Sequence, residues 1–245
     1  MRRMTVFLPV LAVCAALARL SAQAPALPTI EQVLEKYLTA SGGKAAFDKI
    51  TTRVATATLE MPDQGINGTM TLTEKAPNKS LAVVDIAGLG KIREAVDGTV
   101  AWDDNPQMGL REKTGAEKAE ALRGATFNME TNIQKVFPKL VVTGREQVGT
   151  RPTIVVVGTP VEGSPTTFYF DAETGLLVKS SGSRESPQGP MNFEAFFEDY
   201  RTQDGIKQPF LIRQVTPAFT MVIRVTDMKH NVPVDDSIFK KPGIN

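Results

Sequence analysis

Hydrophobic and polar residues alternate with a period of two along most of the chain after residue 51. This pattern is typical of half-buried β-strands, and turns rich in Gly, Asp, Asn and Pro separate the runs. We predict about eleven strands, in two blocks that cover residues 52–102 and 140–228. Strands joined by short local turns favour an antiparallel meander, either open or partly closed.

A first helix is predicted ahead of these strands. Thr29 and Gln32 have the spacing of a capping box, in which each side chain binds the backbone N–H of the other residue. Apolar residues then recur at helical spacing, and Ser41-Gly42-Gly43 is expected to end the helix.

A second helical segment, residues 114–137, separates the two β blocks. Thr114 and Glu117 again have capping-box spacing. The end of the segment places apolar residues on one helix face. These residues are Met129, Ile133, Val136 and Phe137. An apolar helix face between two β blocks must be buried against a closed core or cover a cavity. We therefore predict that this segment forms a lid over one face of the sheet.

The N-terminus has the parts of a secretory signal peptide. Met1-Arg2-Arg3 is basic, an apolar run follows, and Ala22-Gln23-Ala24 fits a cleavage site. We therefore predict a signal peptide over residues 1–24 and a single domain over residues 25–245.

Two alternatives place the N-terminus in a membrane. An uncleaved anchor is less favoured, because the apolar run is short for a bilayer span of about 20 residues. Cys14 follows Leu11-Ala12-Val13, which resembles a lipobox, although Val13 stands where a small residue is expected. We favour a protein without a lipid anchor, located in the periplasm or secreted.

Charge and cysteine content narrow the function classes. Removal of residues 1–24 would leave a net charge of about −2, which does not favour binding to nucleic acid. Cys14 is the only cysteine, so the mature fold is expected to hold without disulfides. We expect a monomer.

No catalytic constellation is evident in the sequence. His230 is the only histidine, and we assign it to a surface turn. Asp103-Asp104 and Asp235-Asp236 could share a proton or hold a cation, but a turn and a helix N-terminus explain them better. We therefore predict no catalytic residue, no metal site and no cofactor. An enzyme acting on a lipid or glycan would need two acidic side chains that face each other in a cavity.

Aromatic and methionine residues on alternating strand positions are candidates for a ligand surface. They could form an ordinary core or line a hydrophobic cavity. The candidate lining residues are Trp102, Phe127, Met129, Ile133, Val136, Phe137, Phe168, Phe170, Phe193, Phe197, Phe219 and Met221.

The order of elements resembles a known superfamily. The sequence has an export signal, a helix that ends Tyr37-Leu38-Thr39-Ala40-Ser41-Gly42-Gly43, strands that carry Asp97-Gly98-Thr99-Val100-Ala101-Trp102, and mid-chain helices. Residues 168–177, Phe-Tyr-Phe-Asp-Ala-Glu-Thr-Gly-Leu-Leu, follow. In these features it resembles the periplasmic lipoprotein carriers LolA and LolB and their LppX-like and RseB-like relatives.

The resemblance implies a mainly β fold with helices (α+β). The expected form is an open, strongly curved antiparallel half-barrel with an N-terminal helix and a mid-chain helical lid. It also implies a lipid or lipoprotein acyl chain bound between sheet and helices. Arg53 and Arg93 lie on early strands, but neither matches the arginine of the classical carrier. We therefore expect simple lipid binding rather than lipoprotein transfer.

The leading hypothesis is thus an exported carrier or binder of a hydrophobic ligand. The alternative is a non-catalytic structural or sensor module of the envelope that docks on a partner protein. A void between the sheet and residues 114–137 would favour the carrier.

Overall fold

The computed structural model describes residues 26–185 and 189–243. The predicted signal peptide, including Cys14, lies outside the described residues. The helices are α1 (Ile30–Ala40), α2 (Lys44–Phe47), α3 (Gly115–Gly124) and α4 (Met129–Val136). The strands are β1 (Thr52–Met61), β2 (Ile66–Lys75), β3 (Lys79–Ile86), β4 (Gly90–Val96), β5 (Ala101–Asn105), β6 (Gly109–Glu112), β7 (Lys139–Val148), β8 (Arg151–Thr159), β9 (Thr166–Asp171), β10 (Leu177–Arg184), β11 (Met191–Gln203), β12 (Ile206–Val215) and β13 (Thr220–His230).

These strands form one antiparallel sheet in the order β6-β5-β4-β3-β2-β1-β13-β12-β11-β10-β9-β8-β7. Each block is a meander, and the pairing of β1 with β13 joins the two blocks. Strands β6 and β7 are the edges of the sheet, which is therefore open and not a closed barrel.

The sheet has 13 strands rather than the predicted number of about eleven. Strand β6 was missed because Asp103-Asp104 was assigned to a turn. Both aspartates instead belong to β5, where Asp103 pairs with Arg111 and Asp104 with Leu110.

The sheet curves strongly around helix α3. Strands β6 and β10 are nine positions apart in the sheet, which would separate them by about 43 Å if the sheet were flat. Helix α3 is only about 15 Å long, yet it contacts both. Its Glu117 binds Arg111 of β6 at 2.5 Å, and Glu120 Oε2 accepts a hydrogen bond from the backbone N–H of Glu185, after β10.

Helices α1, α3 and α4 pack on the concave face. Ile133 and Phe137 at the end of α4 pack against Val156 and Phe168. Helix α3 packs through Ala121 on β4 and β5.

The two predicted capping boxes have different outcomes. The Thr29–Gln32 box is confirmed, because both reciprocal hydrogen bonds form. The Thr114–Glu117 box is wrong: the Thr114 side chain caps nothing, and Glu117 turns to Arg111 instead.

The C-terminal segment covers part of the convex face. A short 3-10 helix, Asp236–Phe239, is capped by the side chain of Asp235. Asp236 forms ion pairs with Lys75 at 2.8 Å and Lys79 at 2.5 Å. The predicted helix N-terminus at Asp235-Asp236 is thus present, and its role is to fasten the end of the chain to the sheet.

Candidate functional site

The middle of the concave face carries apolar side chains from both halves of the sheet. Phe197 lies opposite Ile212, and Ile212 lies opposite Ile223 across the next strand pair. In the other half, Val84 lies between Met70 and Ile92. We call this set the apolar concave surface. It comprises Met70, Val84, Ile92, Phe193, Phe197, Ile212, Met221 and Ile223.

Strand register shows that this surface faces the helices. Residues that lie opposite each other in neighbouring strands face the same side of the sheet. Ala195 lies opposite Ser180, and Ser180 lies opposite Phe168, so these three residues share one face. Phe168 packs against Phe137 beside α4, with ring centroids 5.2 Å apart. Alternation along β11 therefore directs Phe193 and Phe197 to the concave side.

The residues of the apolar concave surface are all partly exposed to solvent. None of them belongs to the buried clusters through which the described helices pack on the sheet. The apolar concave surface therefore takes no part in these helix–sheet clusters, although Leu59, which lies opposite Ile223 in the same region, is only 2% exposed.

The end of α4 is held against the sheet by close packing. Phe137 is 5 % exposed and meets the ring of Phe168 edge-on. Phe170 is in contact with Tyr37 of α1 at a centroid distance of 5.1 Å. Among the described residues, these contacts belong to the largest apolar cluster that joins helices to strands.

A buried polar cluster ties the start of α4 to the first strands. Arg53 Nη1 donates to Glu74 at 2.7 Å, and Nη2 donates to Asn128 at 3.1 Å. The Arg53 guanidinium also lies 5.2 Å from the centre of the Phe127 ring. Burial raises the pKa of nearby Glu130, an effect that Arg53 opposes. One arginine thus connects strands β1 and β2 to the lid.

A cleft of about 870 Å³ lies beside the helices. Phe47 and Ile50 form one wall, Leu122 and Val136 another, and Pro160 and neighbouring residues a third. The cleft is bordered by α3 and α4, and it opens at the end of the sheet and not over its middle.

The structure divides the candidate lining residues among several environments. Phe193, Phe197 and Met221 belong to the apolar concave surface. Phe127 and Val136 line the cleft. The packed cluster beneath the lid contains Ile133, Phe137, Phe168 and Phe170. Met129 of α4 and Phe219, in the turn before β13, are partly buried.

Trp102 lies on the convex face, away from the other candidates. Its indole N–H donates to the carbonyl oxygen of Phe239 at 2.8 Å, and its side chain is 1 % exposed. Trp102 pairs with Ala95 in the neighbouring strand. Because Glu94, the residue before Ala95, faces the concave side, alternation places Ala95 and Trp102 on the convex side. Trp102 therefore does not contribute to the concave face.

His230 differs from the expected surface turn. It ends β13, its side chain is only 1 % exposed, and Nδ1 lies 2.8 Å from Asp204 Oδ2. Among the described residues, no group of three His, Cys, Asp or Glu side chains is placed to hold a metal ion. None of the described helices is long and apolar enough to cross a membrane.

Comparison with known proteins identifies the fold. No family model matches the sequence, and no curated protein matches it. A LolA superfamily protein from Nitrosomonas europaea matches in structure with a TM-score of 0.59 and 16% identity, over 87% of this chain and 98% of that chain. The chain has the fold of the LolA superfamily.

Two further structures share this LolA-like fold. One is a putative outer membrane lipoprotein-sorting protein domain from Vibrio parahaemolyticus, with a TM-score of 0.59 and 13% identity over 86% of this chain and 97% of that chain. The other is a DUF1329 family protein from Desulfovibrio piger, with a TM-score of 0.58 and 14% identity over 86% of this chain and 97% of that chain. The resemblance inferred from element order is thus confirmed at the level of fold.

Proposed function

We propose that the protein is an exported, non-catalytic binder or carrier of a hydrophobic ligand, such as a lipid or an acyl chain. The ligand lies between the curved sheet and the helices. The apolar concave surface carries this proposal, because its side chains come from both halves of the sheet and remain partly exposed. Burial of an acyl chain on such a surface contributes about 0.8 kcal/mol per CH₂ group.

Two other observations support the proposal. The N-terminal sequence predicts export to the periplasm after removal of residues 1–24. The fold is also that of a LolA superfamily protein and of a putative lipoprotein-sorting domain. Export, and a fold shared with a putative lipoprotein-sorting domain, both suit a protein that holds an amphiphile outside the cytoplasm.

The experiment measures lipid binding directly. The mature protein is purified without detergent, examined by native mass spectrometry for co-purified lipid, and titrated with a fluorescent fatty-acid probe. We expect a bound lipid mass or saturable probe binding. If neither a co-purified lipid nor probe binding is detected, the proposal is overturned.

A pair of neighbouring substitutions locates the site. Ile212→Asn places an amide on the apolar concave surface, and we expect it to weaken probe binding about tenfold. Leu211→Asn is the matched control, because Leu211 is also partly buried but alternation places it on the other face. Equal loss of binding in both variants would argue against this location.

The free edge of the sheet favours a second candidate, docking on an envelope protein. Strand β7 is ten residues long, has no strand on its outer side among the described residues, and exposes Val141 to 43%. Such an edge accepts an extended segment of a partner through backbone hydrogen bonds. A photo-crosslinker at Val141 that captures one partner in cells, together with absence of lipid in native mass spectra, would favour docking over carriage.

A further inference from the structure

A second cavity, of about 400 Å³, lies between α3, strands β4 to β6 and the facing ends of β10 and β11. We call it the charged cavity. Its acidic lining residues are Glu94, Asp103, Glu117, Glu120 and Glu185, and its basic lining residues are Arg111, Lys113 and Arg184. The acids outnumber the bases, so the cavity favours a group that carries positive charge.

The charged cavity adjoins the apolar concave surface. Ile92 belongs to both, since it lines the cavity and pairs with Val84 on the concave face. Arg184 also lines the cavity, and its guanidinium carbon lies 4.7 Å from the centre of the Phe193 ring. A molecule with its apolar part on the concave surface would therefore place its polar end in this cavity.

Three buried polar atoms around the charged cavity have no hydrogen-bond partner among the described residues. Asp103 is 4% exposed, and although its Oδ2 binds Arg111 at 2.5 Å, its Oδ1 is unpaired. Nε of Arg111 and Nε of Arg184 are likewise unpaired. An unsatisfied buried polar group costs about 1–3 kcal/mol, and more when charged, so such atoms call for a specific explanation.

The unpaired atoms define the complementary ligand. A carboxylate oxygen accepts hydrogen bonds, and two guanidinium N–H groups donate them. The matching group carries an N–H donor with positive charge and also anionic oxygen acceptors. A primary ammonium joined by a short linker to a phosphodiester meets both requirements, whereas a quaternary ammonium has no hydrogen to donate.

We propose that the charged cavity binds the phosphoethanolamine headgroup of a phospholipid whose acyl chain lies on the apolar concave surface. This inference rests on the proposed function and names the class of its ligand. Asp103 Oδ1 accepts from the ammonium group, and the Nε groups of Arg111 and Arg184 donate to the phosphate oxygens.

The test compares headgroups on one acyl chain. Lysophosphatidylethanolamine, lysophosphatidylcholine and lysophosphatidylglycerol compete against the fluorescent fatty-acid probe. We expect the ethanolamine lipid to bind at least about tenfold more tightly than the other two. Equal affinities would overturn the headgroup site and leave the proposed function intact. Failure of all three lipids and of the probe would instead overturn the proposed function.

Two adjacent aspartates provide a matched pair of variants. Asp103→Asn should abolish the preference for ethanolamine and retain probe binding. Asp104→Asn should keep the preference, because Asp104 lies on the opposite face and pairs with Arg93. A preference that survives Asp103→Asn would overturn the assignment.

Arg184→Gln tests the phosphate contact if Asp103→Asn fails to fold. We expect it to reduce the affinity for lysophosphatidylethanolamine toward that for a monoacylglycerol with the same chain. An unchanged ratio between these two lipids would overturn the role of Arg184.

Glycerophosphoethanolamine, which lacks the acyl chain, tests whether the ligand is a lipid. It should compete only at millimolar concentration. Binding as tight as that of the lipid would make a soluble headgroup the ligand and overturn the lipid assignment.

Discussion

The ring of Phe137 occupies the space that a side chain at Gly158 would need. A Cβ atom at Gly158 would lie 3.0 Å from two ring carbons of Phe137 and 2.9 Å from Cε2 of Phe168. Phe137, just after α4, can pack this closely on β8 because residue 158 is a glycine.

Gly158→Ala should force Phe137 and Phe168 apart. Because overpacking of a filled core is destabilising, we expect the free energy of unfolding to fall by about 1–3 kcal/mol, measured by urea denaturation. Gly144→Ala on the adjacent strand is the control, since a Cβ there meets nothing within 4 Å. A Gly158 variant as stable as the Gly144 variant would show that the lid does not need this contact.

Arg53→Met should strongly destabilise the protein. The substitution leaves Glu74 without its ion-pair partner, in a site where the two side chains are 16% and 9% exposed. Removal of one partner of a buried ion pair costs about 3–5 kcal/mol. Arg201→Met breaks the exposed pair with Asp199 and should cost less than about 1 kcal/mol. Similar denaturation midpoints for the two variants would contradict this prediction.

Glu130→Gln should stabilise the protein more at neutral pH than in acid. Burial raises the pKa of Glu130 above its ordinary value of 4.5, so the folded state holds the proton more tightly than the unfolded state. The wild-type free energy of unfolding therefore falls as pH rises from the ordinary pKa through the raised one. Glutamine does not titrate, so the variant lacks this pH dependence. The difference in free energy of unfolding between the variant and the wild type should therefore grow in favour of the variant between about pH 4 and pH 7. Urea denaturation of both proteins at pH 4 and pH 7 measures the difference in their free energies of unfolding. The same difference at both pH values would contradict the prediction.

The fluorescence of Trp102 should report unfolding but not ligand binding. This side chain is the only tryptophan in the chain and lies buried on the convex face against Phe239. We expect its emission to stay constant during lipid titration and to shift to longer wavelength in urea. A shift on lipid binding would return Trp102 to the ligand surface, where the sequence prediction placed it.

Trp102→Phe tests the C-terminal contact separately. The substitution leaves the carbonyl oxygen of Phe239 without its donor, at a cost of about 1–3 kcal/mol in the free energy of unfolding. Lipid affinity should not change. Reduced lipid affinity at unchanged stability would contradict the assignment of Trp102 to the convex face.

Features set by neighbouring residues were predictable from the sequence. The capping box of α1 depends on residues three positions apart. The turn at Asp97-Gly98, a residue pair typical of short hairpins, likewise depends on the Asp97 side chain, which accepts hydrogen bonds from the backbone N–H groups of Thr99 and Val100. Both follow from local chemistry that tertiary packing does not override.

Features set by distant partners were not predictable. Arg53 meets Asn128 across 75 positions of sequence, and no local pattern marks that contact. The side of the sheet that Trp102 faces depends on register, so alternation alone gave two equivalent choices. The charged cavity combines α3 with strands from both halves of the sheet, and none of its charges forms a motif by itself.

The junction of β1 with β13 has a consequence for the order of folding. Thr56 and Thr226, which hydrogen-bond across this junction, are 170 positions apart. Contacts of such long range form slowly, because the intervening chain must first be ordered. A polypeptide that emerges from a translocation pore with its N-terminus first cannot make the central strand pair until β13 has emerged. In such an export, the central pairing that joins the two meanders would form only at the end of translocation.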